Sequence, residues 1–261
     1  MYSKYLFNII LILIFIYYFI NIYFYKKETF SNLIKLNNIV DKIYIINLEK
    51  DKYRLDILKP KLHKFKIKYK IIEGIDGNNV VNNTKLRNGQ YGCLLSHKKI
   101  LEDALKNNYN QIAIFEDDII FNRNFNTLFD KKYKYLINKE KDYDILYIGS
   151  SQGYYQYKKK KWNNITINKH YYKVKDTLGA FAFIINKKVI KKILEELDKQ
   201  ILPIDTLIKR KIIKNKNYNC FALFPNIITT NVSNMSNTSY KQRNQEYYLK
   251  LNNLNSKDFD F

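Results

Sequence analysis

Cysteine, proline, glycine and arginine are all scarce in this chain of 261 residues, which holds two, three, seven and five of them respectively. Two cysteines cannot build a disulfide scaffold, and with only three histidines no Cys/His spacing of a zinc site is present. Cys93 and Cys220 could form one bridge if the fold brings them together; otherwise they read as small apolar side chains. So few glycines leave no glycine-rich phosphate loop. There is no Ser-His-Asp signature and no internal repeat. The five arginines, Arg54, Arg87, Arg123, Arg210 and Arg243, stand in a chain crowded with Lys, Asn, Ile, Tyr and Phe. This is the composition that AT-rich coding writes. The formal net charge of +22 is spread along the chain and not gathered into a stripe, so it reads as bias plus a solvated surface, with no nucleic-acid partner expected. Arginine retained against such a bias marks places where its rigid fork matters.

What the chain has in plenty is hydrophobic and aromatic residues, 46% and 16% of the total, which exclude global disorder. The twenty residues Leu6 to Tyr25 carry no charge, the length that crosses a bilayer core. Small residues for signal cleavage are absent, so an uncleaved single-pass anchor is expected, on an endomembrane with the following domain lumenal. The organisation expected is a stub and anchor over 1–27, a linker over 28–40, a catalytic domain over 41–230 and a polar tail over 231–261. Asn-x-Ser/Thr sequons stand at Asn82, Asn164, Asn231, Asn234 and Asn237; they matter only in a lumenal domain.

Beyond the linker, strand and helix patterns alternate. Strands are expected over Lys42–Leu48, Tyr69–Ile75, Ile112–Phe115, Asp144–Ile148, Leu178–Ile185 and Phe221–Phe224. Helices are expected over Asp51–Phe65 (with Pro60 as a kink), Tyr91–Asn107, Asn126–Lys139, Lys187–Lys199 and Pro203–Ile213. Tyr154–Asn168 reads as a polar loop, and the tail from Asn226 as irregular. Such alternation gives an α/β domain with a mainly parallel central sheet, whose ligands bind beyond the carboxyl ends of the strands.

One of those ends is unusual. In IAIFEDDIIF, Ile112 to Phe121, the carboxylates Glu116, Asp117 and Asp118 stand between two apolar runs. Carboxylates crowded at the end of a buried strand repel each other unless a cation shares the site. A hard divalent ion, Mg²⁺ or Mn²⁺, takes one or two such ligands together with phosphate oxygens. The alternative is an exposed strand end with acids serving as a helix cap.

Seven segments, IYIINLEKDKYR (43–54), IIEGIDG (71–77), GCLLSHKKI (92–100), IAIFEDDIIF, DILYIGS (144–150), LGAFAFIINKKVIKKIL (178–194) and PID (203–205), resemble the glycosyltransferases of family 25 in kind and in order. That family includes bacterial lipooligosaccharide galactosyltransferases and collagen galactosyltransferases. The resemblance implies a GT-A type fold, a nucleotide-sugar donor, commonly UDP-galactose, a divalent metal, inversion at the anomeric carbon, and a glycan or hydroxylysine-type acceptor. By position, Asp118 and Glu116 would bind the metal, and Glu116 and Asp117 the nucleotide. Asn47 and Leu48 would pack on base and ribose, and Arg54 would pair with the diphosphate. Ser96 and His97 lie in the SH segment, where Ser96 is a further contact to the donor. Ala180 stands where the family pattern often has Thr, so this chain lacks a hydroxyl there. An inverting transfer needs a general base. Asp205 leads, then Asp144 and His97; against these stand a helix cap for Asp205, a turn role for Asp144 and a structural role for His97. Two other readings remain open: a basic protein binding nucleic acid or an anionic surface, and a transferase-like protein without activity.

Overall fold

The computed structural model describes residues 11–20, 33–151, 168–199, 201–234, 236–238 and 242–261. It divides into two compact units, Met1–Ile34 and Lys35–Phe261. In the first, residues 11–20 are helical and exposed; the rest of the stretch read as an anchor, residues 6–10 and 21–25, lies outside the described residues. Among the described residues no helix is long and apolar enough to cross a membrane. The loop read over 154–168 also lies, Asn168 apart, outside the described residues.

The second unit is a mixed α/β fold. Among the described residues its strands are β1 (Lys42–Asn47), β2 (Lys70–Glu73), β3 (Gln111–Glu116), β4 (Ile119–Phe121), β5 (Ile145–Gly149), β6 (Tyr171–Lys173), β7 (Ala182–Asn186), β8 (Cys220–Leu223) and β9 (Ile228–Thr230). Its helices are α1 (Lys52–Lys64), α2 (Asn88–Lys106), α3 (Phe125–Glu140), α4 (Lys187–Leu197), α5 (Ile204–Ile208) and α6 (Gln245–Leu251). Seven strands form one sheet in the order β2-β1-β3-β7-β5-β8-β6. The pairs β1–β2, β1–β3 and β5–β8 are parallel, whereas β7 runs against both β3 and β5, and β6 against β8. Five of the seven strands therefore point one way, in keeping with the mainly parallel sheet read from the alternation.

The centre of the sheet is apolar on both faces. Ile43, Tyr44 and Ile45 on β1, and Ile112 to Phe115 on β3, are all buried, the pattern of strands covered by helices on either side. Helix α4 starts where the Asn186 side chain accepts a hydrogen bond from Val189 N at 3.0 Å. It turns Val189, Ile190, Ile193 and Leu197 onto the core. Helix α1 runs through Pro60.

Three corrections to the expected elements bear on the site. The run Leu178–Ile185 is a strand only from Ala182; the preceding residues bend, with Gly179 at φ +91°. Helix Pro203–Ile213 is α-helical over α5 and continues as a π-helix over Lys209–Ile213. The tail from Asn226 is not irregular. It supplies β9, which pairs antiparallel with β4 so that Thr230 faces Ile119, and it supplies α6, whose Tyr248 hydroxyl meets Ser151 Oγ at 2.9 Å. Phe259 is buried, and Asp260 is held by Lys61 and by Lys64, the latter at 2.9 Å. Polar spacing hid these elements because their apolar residues are few and find partners far away in sequence.

Both cysteines are free thiols. Cys220 opens β8 and is buried, while Cys93 lies on α2 facing the site.

Candidate active site

Strands β1 and β3 end side by side, with Ile46 opposite Glu116. The acidic triplet therefore leaves the sheet next to the Asn47 amide. Asp117 turns toward β1: Asn47 Nδ2 donates to its Oδ2 at 2.6 Å and Arg54 Nη1 to its Oδ1 at 3.3 Å. Arg54 Nε also lies 3.8 Å from Asp51 Oδ1. Asn47 donates to the Asp51 carbonyl at 3.0 Å, and Asn237 Nδ2 donates to Asp51 Oδ2 at 2.7 Å. Asn47, Asp51 and Arg54 are all buried. A buried network of this kind is stable only because its donors and acceptors are matched. It uses both oxygens of Asp117, and it directs the Arg54 guanidinium to carboxylates of the protein.

Glu116 and Asp118 are left facing a cleft. Its larger lobe, of about 300 Å³, is lined among others by Glu116, Asp118, Gly179, Asp205, Thr230 and Arg243. A smaller lobe, of about 120 Å³, is lined by Leu48, Arg54, Ile75, Gly77, His97 and Asn237, with the triplet at its floor. Its tight wall explains where three scarce glycines were kept. A Cβ on Gly77 would lie 1.7 Å from Asn88 O, one on Gly92 2.3 Å from Ile75 O, and one on Gly89 1.8 Å from Asn237 O.

The acids are electrostatically uncomfortable. Burial, then the charges of Asp118, Asp117 and Asp205, push the Glu116 carboxyl well above the usual carboxylate range. Burial, then Asp117, raises Asp118 to about 6, although the Thr230 hydroxyl and Arg54 favour its ionised form. Burial also raises Asp117, against the pull of Arg54 and Asn47. Asp118 Oδ1 is buried with no hydrogen-bond partner among the described residues. An orphaned carboxylate oxygen beside a second raised carboxyl fits a hard cation with oxygen ligands. Among the described residues no cluster of three or more His, Cys, Asp or Glu could hold an ion unaided; two carboxylates would leave positions for phosphate oxygens.

The other predicted residues divide. Asp205, in the first turn of α5, lines the larger lobe with Glu116 and Asp118. Leu48, Ser96 and His97 line the smaller one. The Ser96 hydroxyl accepts from Ile75 N at 2.8 Å and donates to Gly92 O at 2.7 Å, so it fastens the Ile75–Gly77 turn to α2. His97 is buried, with Nδ1 2.9 Å from Cys93 O and its ring stacked on Phe183. Burial lowers its pKa, which keeps it neutral and suits a wall residue. Asp144 is not brought to the site. It precedes β5, where it accepts from Asn219 N at 2.8 Å and Asn186 Nδ2 at 2.9 Å and pairs with Lys188 at 3.3 Å. It clasps the start of β5 to the start of α4, at the end of the strands away from the cleft.

Residues 40–208 match the model of glycosyltransferase family 25, described as an LPS biosynthesis protein family. The chain belongs to glycosyltransferase family 25. A Haemophilus influenzae protein with a provisional glycosyltransferase name is 26% identical over 222 residues, covering 78% of this chain and 76% of that one. Mouse procollagen galactosyltransferase 2 is 26% identical over 129 residues, covering 42% of this chain. The human inactive glycosyltransferase 25 family member 3 is 23% identical over 132 residues, covering 43% of this chain. The matched stretch spans 20% of the mouse protein and 22% of the human one. A solved complex of UDP-glucose pyrophosphorylase with UDP-glucose covers 81% of this chain and 80% of its own at a TM-score of 0.36 and 10% identity, a likeness too distant to bear on fold or function.

Much of the cleft of this family 25 chain lies beyond the matched stretch. Thr230, Ser236, Asn237, Thr238 and Arg243 all line it, and sequence reasoning singled out none of them as site residues. Asp51 was read only as the start of a helix. The scarcity of arginine was the one signal available for Arg243.

Proposed function

We propose that this chain is a metal-dependent hexosyltransferase of GT-A type, which moves galactose from UDP-galactose, with inversion, to a hydroxyl of a glycan or of a hydroxylysine-type protein acceptor. The observation that carries the reading is the pair Glu116 and Asp118, standing between two lobes of one cleft with Asp205 on the wall of the larger. The smaller lobe takes the nucleoside, the larger the sugar and the acceptor. Glu116 and Asp118 would hold Mn²⁺ or Mg²⁺, which when bound neutralises charge on the diphosphate leaving group. Asp205 accepts the proton of the acceptor hydroxyl as its oxygen attacks the anomeric carbon from the side opposite the diphosphate. Asp117 holds Arg54 and Asn47 in register at the floor. A polyanion-binding protein has no use for three carboxylates in its cleft.

The test is thermal unfolding with UDP, GDP and other nucleotides, each with and without Mn²⁺. Binding to the native state raises the melting temperature by mass action, about 2.7 kcal/mol at a hundredfold excess over Kd. Stabilisation by UDP that needs Mn²⁺ is the expected result. No shift with any nucleotide would favour the inactive, transferase-like alternative.

On the same reading, residues 6–25 anchor the chain in an endomembrane with the catalytic unit lumenal. In sealed vesicles the unit is then expected to resist added protease until detergent is present. Digestion without detergent would reverse the orientation.

A further inference from the structure

Among the described residues, Cys93, Glu116, Asp118, Ser236 and Thr238 line both lobes. They mark a seam, with the acids of the β3 end on one wall and two hydroxyls of the C-terminal segment on the other. A nucleotide sugar that fills both lobes must lay its diphosphate across this seam, because the diphosphate is what joins nucleoside to sugar. We propose that Ser236 and Thr238 form a hydroxyl pair that binds the diphosphate of the donor, and that Asn237 is the positioning residue holding the pair in place. The inference rests on the transferase reading and adds to it a phosphate-binding element outside the family-matched residues 40–208.

The geometry is specific. Ser236 Oγ and Thr238 Oγ1 lie 3.1 Å apart, so the two hydroxyls present themselves together. Between them, the Asn237 side chain goes the other way and donates to Asp51 Oδ2 at 2.7 Å. The Asn237 backbone carbonyl lies against the first turn of α2, so close that a Cβ on Gly89 would meet it at 1.8 Å. The segment is thus fixed at its middle residue from two sides. The fixing partner, Asp51, lies 3.8 Å from Arg54 Nε, and Arg54 holds Asp117 at 3.3 Å. One chain of contacts therefore ties the hydroxyl wall to the acidic wall. The chemistry is complementary. The acids can approach a diphosphate only through a cation, whereas hydroxyls donate to phosphate oxygens directly. Hydrogen bonds to charged acceptors are the stronger kind.

The experiment measures binding of UDP and of uridine to the full chain in Mn²⁺, for the wild type and two variants. In Ser236→Ala/Thr238→Val, UDP binding is expected to weaken about tenfold or more, the loss of hydrogen bonds to a charged group, while uridine binding stays within about twofold. Asn237→Asp removes the donor and sets a carboxylate against Asp51. It is expected to weaken UDP in the same direction and likewise to spare uridine. Ser236→Ala alone, which only removes an oxygen, is expected to show part of the UDP loss and keeps the test open if the double variant does not fold. UDP affinity unchanged in the variants, or UDP and uridine weakened alike, would overturn the proposal. Wild-type protein that binds no UDP in Mn²⁺ would instead remove the transferase reading itself, and the two failures are read from different arms.

Discussion

Asp118→Asn is expected to abolish Mn²⁺-dependent UDP binding and transfer while raising the melting temperature of the ligand-free protein. The two effects have one cause. Burial and the neighbouring Asp117 raise Asp118 from 3.8 to about 6, so at neutral pH the fold holds an ionised carboxylate it would prefer protonated. The sign follows from linkage. In the unfolded chain the group ionises at its ordinary pKa and in the folded chain only near pH 6, so the native state binds the extra proton between these values. Stability is therefore lost as pH rises through this window and stays lost above it. Replacing the carboxylate by an amide restores it, by ~2 kcal/mol after allowance for partial exposure. Below about pH 4, where both states are protonated, the gain should vanish. Chemical denaturation at pH 7 and about pH 3 checks this pair of values. A destabilised variant at pH 7 would show that Asp118 is a structural cap and not a strained ligand.

Loss of function should be as clear. Removing one of two carboxylates from a divalent site takes away several kcal/mol of charge stabilisation, about a thousandfold or more in kcat/KM. UDP stabilisation of the wild type should also fade as pH falls through about 6, as Asp118 takes up its proton. UDP binding of Asp118→Asn that still responds to Mn²⁺ would move the metal elsewhere.

The triplet could be read in the sequence because its signal is local: three carboxylates between IAIF and IIF have no bland explanation of equal weight. The β-branched runs of β1 and β3 were legible for the same reason, since burial on both faces leaves a continuous apolar stretch. Strand order was not. Nothing in AFIIN says that β7 inserts antiparallel between β3 and β5, because that choice is made by tertiary packing. The seam hydroxyls were hidden more deeply. Ser236, Asn237 and Thr238 lie in an Asn- and Ser-rich stretch with no periodicity, and their meaning comes from partners, Asp51 and Gly89, far back in the chain. Asp144 misled in the opposite direction. An acid before a buried strand resembles a site residue, yet it sits at the start of β5, and the cleft is at the strands' other ends.

Asp205→Asn is expected to remove turnover while keeping donor binding, and the local geometry makes the substitution clean. Thr206 N and Oγ1 donate to Asp205 Oδ1 at 2.6 and 3.3 Å, so both of these bonds fall on one oxygen. An asparagine keeps an oxygen there to accept both bonds from Thr206, so stability should change little. What it cannot do is accept a proton. Loss of a general base lowers kcat by about 10²- to 10⁴-fold, while Kd for UDP in Mn²⁺ should stay within about twofold. The Asp205 charge is one of those that raise Glu116. Its removal should therefore let Glu116 ionise more readily and shift the acid edge of Mn²⁺-dependent UDP binding to lower pH. A purely structural Asp205 predicts none of this pattern: kcat would stay near the wild-type value, and holding Thr206 would be its whole role. Loss of UDP binding together with kcat would instead assign Asp205 to the metal and donor, and the proton acceptor would have to be sought elsewhere along the larger lobe.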